Sequence, residues 1–299
     1  MSLFRKAERK KARLRLGVSG PAGSGKTYSA LQIAFGLGGT IALIDTEHGS
    51  GELYAHLGPY DVATLVPPFT AEKYISLIHE AEADGYQVII IDSLSHAWAG
   101  EGGLLDQQGK IADSGKGNSY TAWRTITPLH NALVEAMLQS PAHIVATTRA
   151  KTEYVLEKNR EGKDVPRKVG LAPIQREGME YEFTIFFDLS ANHLASSSKD
   201  RTGLFDSRPP FIPTPEIGKE LLEWLESGVD PLEGQKATLE VLTARIEQVQ
   251  NIFELRNWWK KHQDEIQTLP ETLRDQLIEV KEVKKSQFED KGNGSRLQF

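Results

Sequence analysis

The sequence predicts an α/β fold with a mostly parallel sheet, followed by a small all-α unit, and three observations carry that reading. Short apolar runs at 13–19, 40–45, 86–92 and 143–148 alternate with stretches of helical periodicity, the pattern of strand-crossover-strand units. A glycine-rich turn, Gly20-Pro21-Ala22-Gly23-Ser24-Gly25-Lys26-Thr27, joins the first run to the first helix. Between residues 237 and 285 the periodicity is helical, with no strands.

The elements follow in order. Residues 1–12 form a basic arm with Arg5, Lys6, Arg9, Lys10 and Lys11 against Glu8. In the first strand Leu14, Leu16 and Val18 alternate with other residues, and after the turn Ala30, Leu31, Ile33, Ala34 and Leu37 recur at helical spacing. The second strand ends at Asp45-Thr46-Glu47-His48, and Gly49-Ser50-Gly51 breaks the chain. A third run, 62–66, stops at Pro67-Pro68, and Thr70 is placed to cap a helix reaching about residue 84. Ile89-Ile90-Ile91-Asp92 is a buried parallel strand with a carboxylate at its tip.

Residues 99–119 are polar and glycine-rich and predict a mobile loop; a helix over 121–139 follows, interrupted or kinked by Pro128. The strand 143–148 leads into a stretch, 149–176, rich in cations, with a hairpin tip at 159–164. Residues 183–189 and 193–198 predict a hairpin at one end of the sheet, and a helix spans about 216–226. The expected organisation is an arm 1–12, a core 13–228, a linker 229–235, a helical unit 236–288 and a disordered tail 289–299. Trp258 and Trp259 are read as core of the helical unit, whose role the sequence leaves open, a protein partner being one reading.

At 299 residues, 39% hydrophobic and 25% charged, the chain is long enough for one large domain and an appendage. A net charge of −6 gives no overall attraction to nucleic acid, so any such binding needs local basic patches. Cysteine is absent, which excludes disulfides, thiol catalysis and cysteine zinc sites. No apolar run approaches the ~20 residues of a membrane span, and the first residues are charged rather than apolar. The expectation is a cytoplasmic protein with no membrane partner.

The turn from Gly20 to Thr27 has the spacing G-x-x-x-x-G-K-[ST] between a strand and a helix, which is a phosphate cradle. Glycines let backbone N–H groups turn inward on phosphates, and the helix N-terminus adds positive potential. Lys26 reaches the β- and γ-phosphates and Thr27 holds Mg²⁺, so ATP with Mg²⁺ is the expected ligand. Asp92 is the second partner for the metal, and Glu47 is placed to orient or deprotonate a water facing the γ-phosphate. Ser93 follows Asp92 where many ATPases carry glutamate, no N-K-x-D sequence occurs, and no arginine-bearing glycine-rich lid stands out.

With these motifs the chain resembles the RecA recombinase family, and within it the short phage-type RecA-like ATPases that promote single-strand annealing. Asp45-Thr46-Glu47-His48 resembles that family's F-I-D-A-E-H, and Ile89-Ile90-Ile91-Asp92-Ser93 its V-V-D-S. Tyr54-Ala55-His56-Leu57-Gly58 is similar to Y-A-x-x-L-G with one residue missing, which implies that Tyr54 stacks on adenine. The resemblance further implies DNA-contacting loops at 99–119, with Lys116, and at 149–176, with Arg149, Lys151, Lys163, Arg167 and Lys168. Lys199-Asp200-Arg201 resembles the K-x-R pair that reaches a neighbouring subunit's γ-phosphate. The family's N-Q-I-R is replaced by Thr147-Thr148-Arg149, leaving Thr148 or Arg149 in the place of the γ-phosphate sensor. Phe4-Arg5-Lys6-Ala7 resembles the F-x-x-A linker by which eukaryotic and archaeal recombinases join subunits, which gives Phe4 and Ala7 an interface role.

The function implied is a DNA-stimulated ATPase that binds single-stranded DNA for recombination or annealing and forms a homo-oligomer, filament or ring. A ring-forming DNA translocase or helicase, and a nucleotide-switched regulatory or scaffold ATPase, are the open alternatives.

Overall fold

A computed structural model of the chain describes residues 6–114, 119–158, 164–230 and 233–294. Phe4, Lys116, Lys163, most of the expected hairpin tip and Phe299 lie outside them. The chain divides into two compact units, Ala12–Ser227 and Met1–Lys11 with Gly228–Phe299.

The larger unit is an eight-stranded, mostly parallel sheet: β1 (Arg15–Gly20), β2 (Ile41–Asp45), β3 (Asp61–Thr64), β4 (Val88–Asp92), β5 (His143–Lys158), β6 (Asp164–Pro173), β7 (Ile185–Leu189) and β8 (Ala195–Asp200). The order is β3-β2-β4-β5-β1-β7-β8, with β6 antiparallel on β5 and β8 antiparallel on β7. Helices cover both faces, which is why consecutive residues of the inner strands, such as Val88–Ile91, are apolar. Leu43, Val88, Ile90 and Val145 face α1 (Lys26–Leu37) and α6 (Pro215–Glu226). Their neighbours Ile44, Ile89, Ile91, Ile144 and Ala146 face the other way, towards α2 (Ala71–Ala83), α3 (Ser95–Ala99), α4 (Leu104–Asp113) and α5 (Ser119–Gln139).

Two expectations are corrected here. Part of the stretch expected to be a loop is α4, fixed by the buried Leu104 and by Asp106, which accepts from the Gly102 amide at 2.8 Å and pairs with Lys110 one turn on. The strand expected to stop at residue 148 continues through Lys158, because β6 supplies an antiparallel partner from Ala150 onward. Helix α5 runs unbroken through Pro128.

Arg15 is buried in β1 and donates to the carbonyls of Leu14, Leu138, Ser140 and Ala142, so one guanidinium satisfies the end of α5 and the turn after it. Helices α1 and α6 touch backbone to backbone: a Cβ on Gly36 would stand 1.9 Å from the Pro215 carbonyl, and one on Gly218 2.1 Å from that of Ile33.

In the smaller unit the arm is tied down, with Lys11 N–H donating to Val229 and Val229 N–H to Arg9. Helices α7 (Glu233–Gln248), α8 (Ile252–Lys261), α9 (Gln263–Gln267) and α10 (Glu271–Gly294) enclose Leu242, Ile246, Leu255, Ile266 and Leu277. Trp258 and Trp259 pack partly buried against that core. Helix α10 extends into the stretch expected as a disordered tail. No helix among the described residues is long and apolar enough to cross a membrane.

Candidate active site

The ends of β1, β2 and β4 and the middle of β5 meet along one edge of the sheet, where parallel α/β sheets place ligands. Because β5 lies between β1 and β4, its side chains enter between the glycine-rich turn and Asp92.

The turn is built for close approach. Gly23 and Gly25 have φ of 76° and 83°, a region glycine enters at little cost. Ser24 N–H and Lys26 Nζ both donate to the Pro21 carbonyl, at 3.2 and 3.0 Å, and the Ser24 hydroxyl is buried without a partner. Burial lowers the Lys26 pKa against the opposing pull of Asp92 and Glu47.

Asp92 is 2% exposed and accepts from Thr27 Oγ1 at 2.5 Å and from Thr147 Oγ1. Burial pushes its pKa up, and the two hydroxyl bonds offset only part of that. Its hydrogen-bond donors are neutral hydroxyls, with no ion pair among the described residues, which is an environment that favours a divalent ion. Thr27 and Asp92 offer only hard oxygen donors, and these fit Mg²⁺.

Glu47 is presented by a pinned loop. The Asp45 carboxylate accepts from the amides of Glu47 at 2.6 Å and Gly51 at 3.2 Å. Thr46 Oγ1 accepts from Ser93 N–H at 2.8 Å and meets His96 Nδ1 at 2.6 Å, joining the tips of β2 and β4. The Glu47 carboxylate then accepts two bonds from one guanidinium, Arg149 Nε at 2.9 Å and Nη2 at 2.5 Å. Burial raises the Glu47 pKa, but the hydrogen bond and charge of Arg149 outweigh it and the net shift is downward. Arg149 is raised in turn, first by the same hydrogen bond. Lys26, Thr27, Glu47, Asp92 and Arg149 all border one cleft of about 440 Å³. It combines the glycine-rich turn, a metal-compatible oxygen pair and a carboxylate held by Arg149.

Gly20, Pro21, Ala22, Gly23, Ser24 and Gly25, all expected to bind nucleotide, form the turn itself. Thr148 is on the wrong face: strand alternation puts Thr147 and Arg149 towards Asp92 and Glu47, and turns Thr148 away, buried with its hydroxyl unpartnered. Arg149, expected on a DNA loop, is instead engaged by Glu47 inside the cleft. Tyr54 lies in a 3-10 turn, Ser50–Leu57, with its ring edge-on to Tyr28 at 6.1 Å, and does not line the cleft. Lys199 donates to the carbonyls of Glu180 and Tyr181, and Arg201 to that of Tyr181 at 2.9 Å, away from their own chain's cleft. Burial, then the neighbouring Arg201, lowers the Lys199 pKa. Lys151 and Ala7 are exposed. Arg167 and Lys168 occupy β6 positions opposite Val155 and Tyr154.

Thr147, Asp45 and His193 were not singled out from the sequence. The alternation of β5 about Asp92 could have chosen Thr147 over Thr148. His193 sits in the β7–β8 turn, with Nδ1 3.2 Å from where a Cβ on Gly25 would be, a proximity that no local pattern announces.

A family model described as an AAA domain matches residues 12–210, a segment that contains the whole sheet and its cleft. No curated protein matches the chain. Since the matched segment makes up more than half of its length, the chain belongs to this family of P-loop, AAA-type ATPases.

Proposed function

We propose that this ATPase binds single-stranded DNA in recombination or annealing and assembles head to tail, with ATP between subunits. The observation that carries the reading is the 16-residue strand β5. It sets Thr147 on Asp92 and Arg149 into the cleft, then leaves the parallel sheet as one arm of an antiparallel pair with β6. The hairpin sequence carries Lys151, Lys158, Arg167 and Lys168, cations suited to a phosphate backbone. An anionic polymer on the hairpin would therefore act on the strand whose Arg149 holds Glu47.

In this reading Lys26 and the turn amides bind the triphosphate, and Glu47 takes a proton from the attacking water once Arg149 lets it go. Thr27 and Asp92 would hold Mg²⁺, which would neutralise charge at the phosphates. Lys199 and Arg201, at the β8 edge of the sheet, act on the next subunit's nucleotide, and such a heterologous contact generates rings or filaments.

The test is direct. Replacing Lys151, Arg167 and Lys168 with alanine should weaken binding to a single-stranded oligonucleotide and reduce its salt slope by roughly 0.7 for each phosphate no longer neutralised. Nucleotide affinity should hold, while DNA-stimulated hydrolysis should fall. Unchanged DNA binding would remove the hairpin from the contact, and hydrolysis indifferent to DNA would favour a nucleotide-switched scaffold. Strand displacement without annealing in a bulk assay would favour a translocase.

A further inference from the structure

The helical unit holds a second cleft, of about 390 Å³, between α8 with the start of α9 and α10. The start of its α8 wall is fixed by the N-cap Asn251, whose Oδ1 accepts from Glu254 N–H at 2.9 Å, and by Glu254 Oε2, which accepts from Gln250 N–H at 2.8 Å. Ile252, Leu255 and Trp259 follow at helical spacing and form an apolar floor. Arg256 and Lys260, one turn apart and both exposed, stand on the rim. On α10, Lys281 and Lys285 share Glu282 at 2.8 and 3.3 Å. The side chains of Arg256 and Lys260 have no hydrogen bond or ion pair among the described residues, so they are the cations available to a ligand.

We propose that this cleft binds an acidic peptide segment of another protein, with an apolar side chain on the floor and carboxylates on Arg256 and Lys260. The shape of the site favours a peptide over nucleic acid. A nucleobase needs an open aromatic face for stacking, and the Lys281 ammonium lies 4.7 Å from the centroid of the Trp259 ring, which also packs on the helical core. A phosphodiester chain would engage the rim and leave the floor empty. An apolar residue flanked by carboxylates uses both, and places its hydrophobic anchor at the centre of a polar rim.

Fluorescence anisotropy of the full chain tests this with a labelled, end-blocked hexapeptide, Asp-Glu-Leu-Phe-Glu-Asp. The parent should bind it in a salt-sensitive way. The double variant Arg256→Glu, Lys260→Glu should bind at least ~10-fold more weakly, as should the parent with Leu-Phe replaced by Ser-Ser in the peptide. Because the two cations are exposed and outside the ATPase core, the variant should keep the parent's circular dichroism and basal ATP hydrolysis. Failure of the parent to bind, or equal binding by parent and variant, overturns the proposal. So does a labelled oligothymidylate that binds through these two cations when the peptide does not, which would make the cleft a nucleic-acid contact.

Discussion

Without the Arg149 guanidinium, the Glu47 carboxylate would keep its partial burial and lose the hydrogen bond and charge that outweigh it. In Arg149→Ala the Glu47 pKa should therefore rise, and hydrolysis should fail at a higher pH on the acidic side than in the parent. Carboxyl-carbon NMR of Glu47 across pH checks this, and an unmoved titration would mean that the pair does not form in solution. His143 gives a second residue-scale test. Its Nδ1 accepts from Leu14 N–H at 3.0 Å, and burial, then Arg13 and Arg15, lowers its pKa from 6.5 to about 4. Between those pH values the unfolded chain takes up a proton that the folded chain refuses. The residue thus lowers stability as pH falls through that window, by up to about 3 kcal/mol. Above the window the effect is absent. His143→Asn keeps an acceptor for Leu14 N–H and removes the proton site, so its urea midpoint should gain on the parent's between neutral pH and pH ~4. Parallel curves would refute the assignment. Neither partnership was legible in the sequence. Arg149 and Glu47 come from strands that are not neighbours in the sheet, and His143 resembles any histidine at a strand start.

Helix α1 and helix α6 owe their separation to two glycines. Propensity alone makes Gly218→Ala a gain of about 1 kcal/mol. The added methyl would instead meet the Ile33 carbonyl and the Gly36 Cα, backbone atoms that cannot swing aside. A loss of ~2 kcal/mol or more is expected, in the upper range for overpacking. Gly109 in α4 has nothing within 4 Å of the same added atom, so Gly109→Ala should stabilise by up to about 1 kcal/mol. Thermal unfolding of the two variants should shift in opposite directions, and a shared sign would show that the α1–α6 contact is looser than the distances say. At this scale the sequence was most informative where one segment carries its own signal. Apolar runs ending in Asp45 and Asp92 located β2 and β4, and the glycine-rich turn located the start of α1. Helix α4 was not legible because Gly102, Gly103 and Gly109 hide a segment that buries only Leu104. The length of β5 depends on β6, which lies later in the chain, so the chain up to residue 148 does not contain the information.

For the molecule as a whole, the proposed head-to-tail assembly would make two inactive proteins complementary. Glu47→Gln should bind ATP and lose roughly 10²-fold in kcat, the scale of a missing general base. Arg201→Ala should hydrolyse poorly because it cannot serve its neighbour. Mixing the two should recover part of the parent's rate, since some interfaces receive Glu47 from one protein and Arg201 from the other. Turnover that stays at the sum of the separate rates would place the whole site within one subunit.

Sheet order also governs how this chain can be made. Strands β2, β3 and β4 come early and pair with one another, whereas β1, which precedes them, has only β5 and β7 as sheet neighbours among the described residues. On the ribosome β1 must wait for a strand that begins at His143, and until then β4 presents an unpaired edge. The arrival of β5 closes both gaps in one step and brings Thr147 and Arg149 with it. A nascent chain thus carries the finished phosphate-binding sequence long before it has a site. In that interval the β4 edge is the surface open to pairing with another chain.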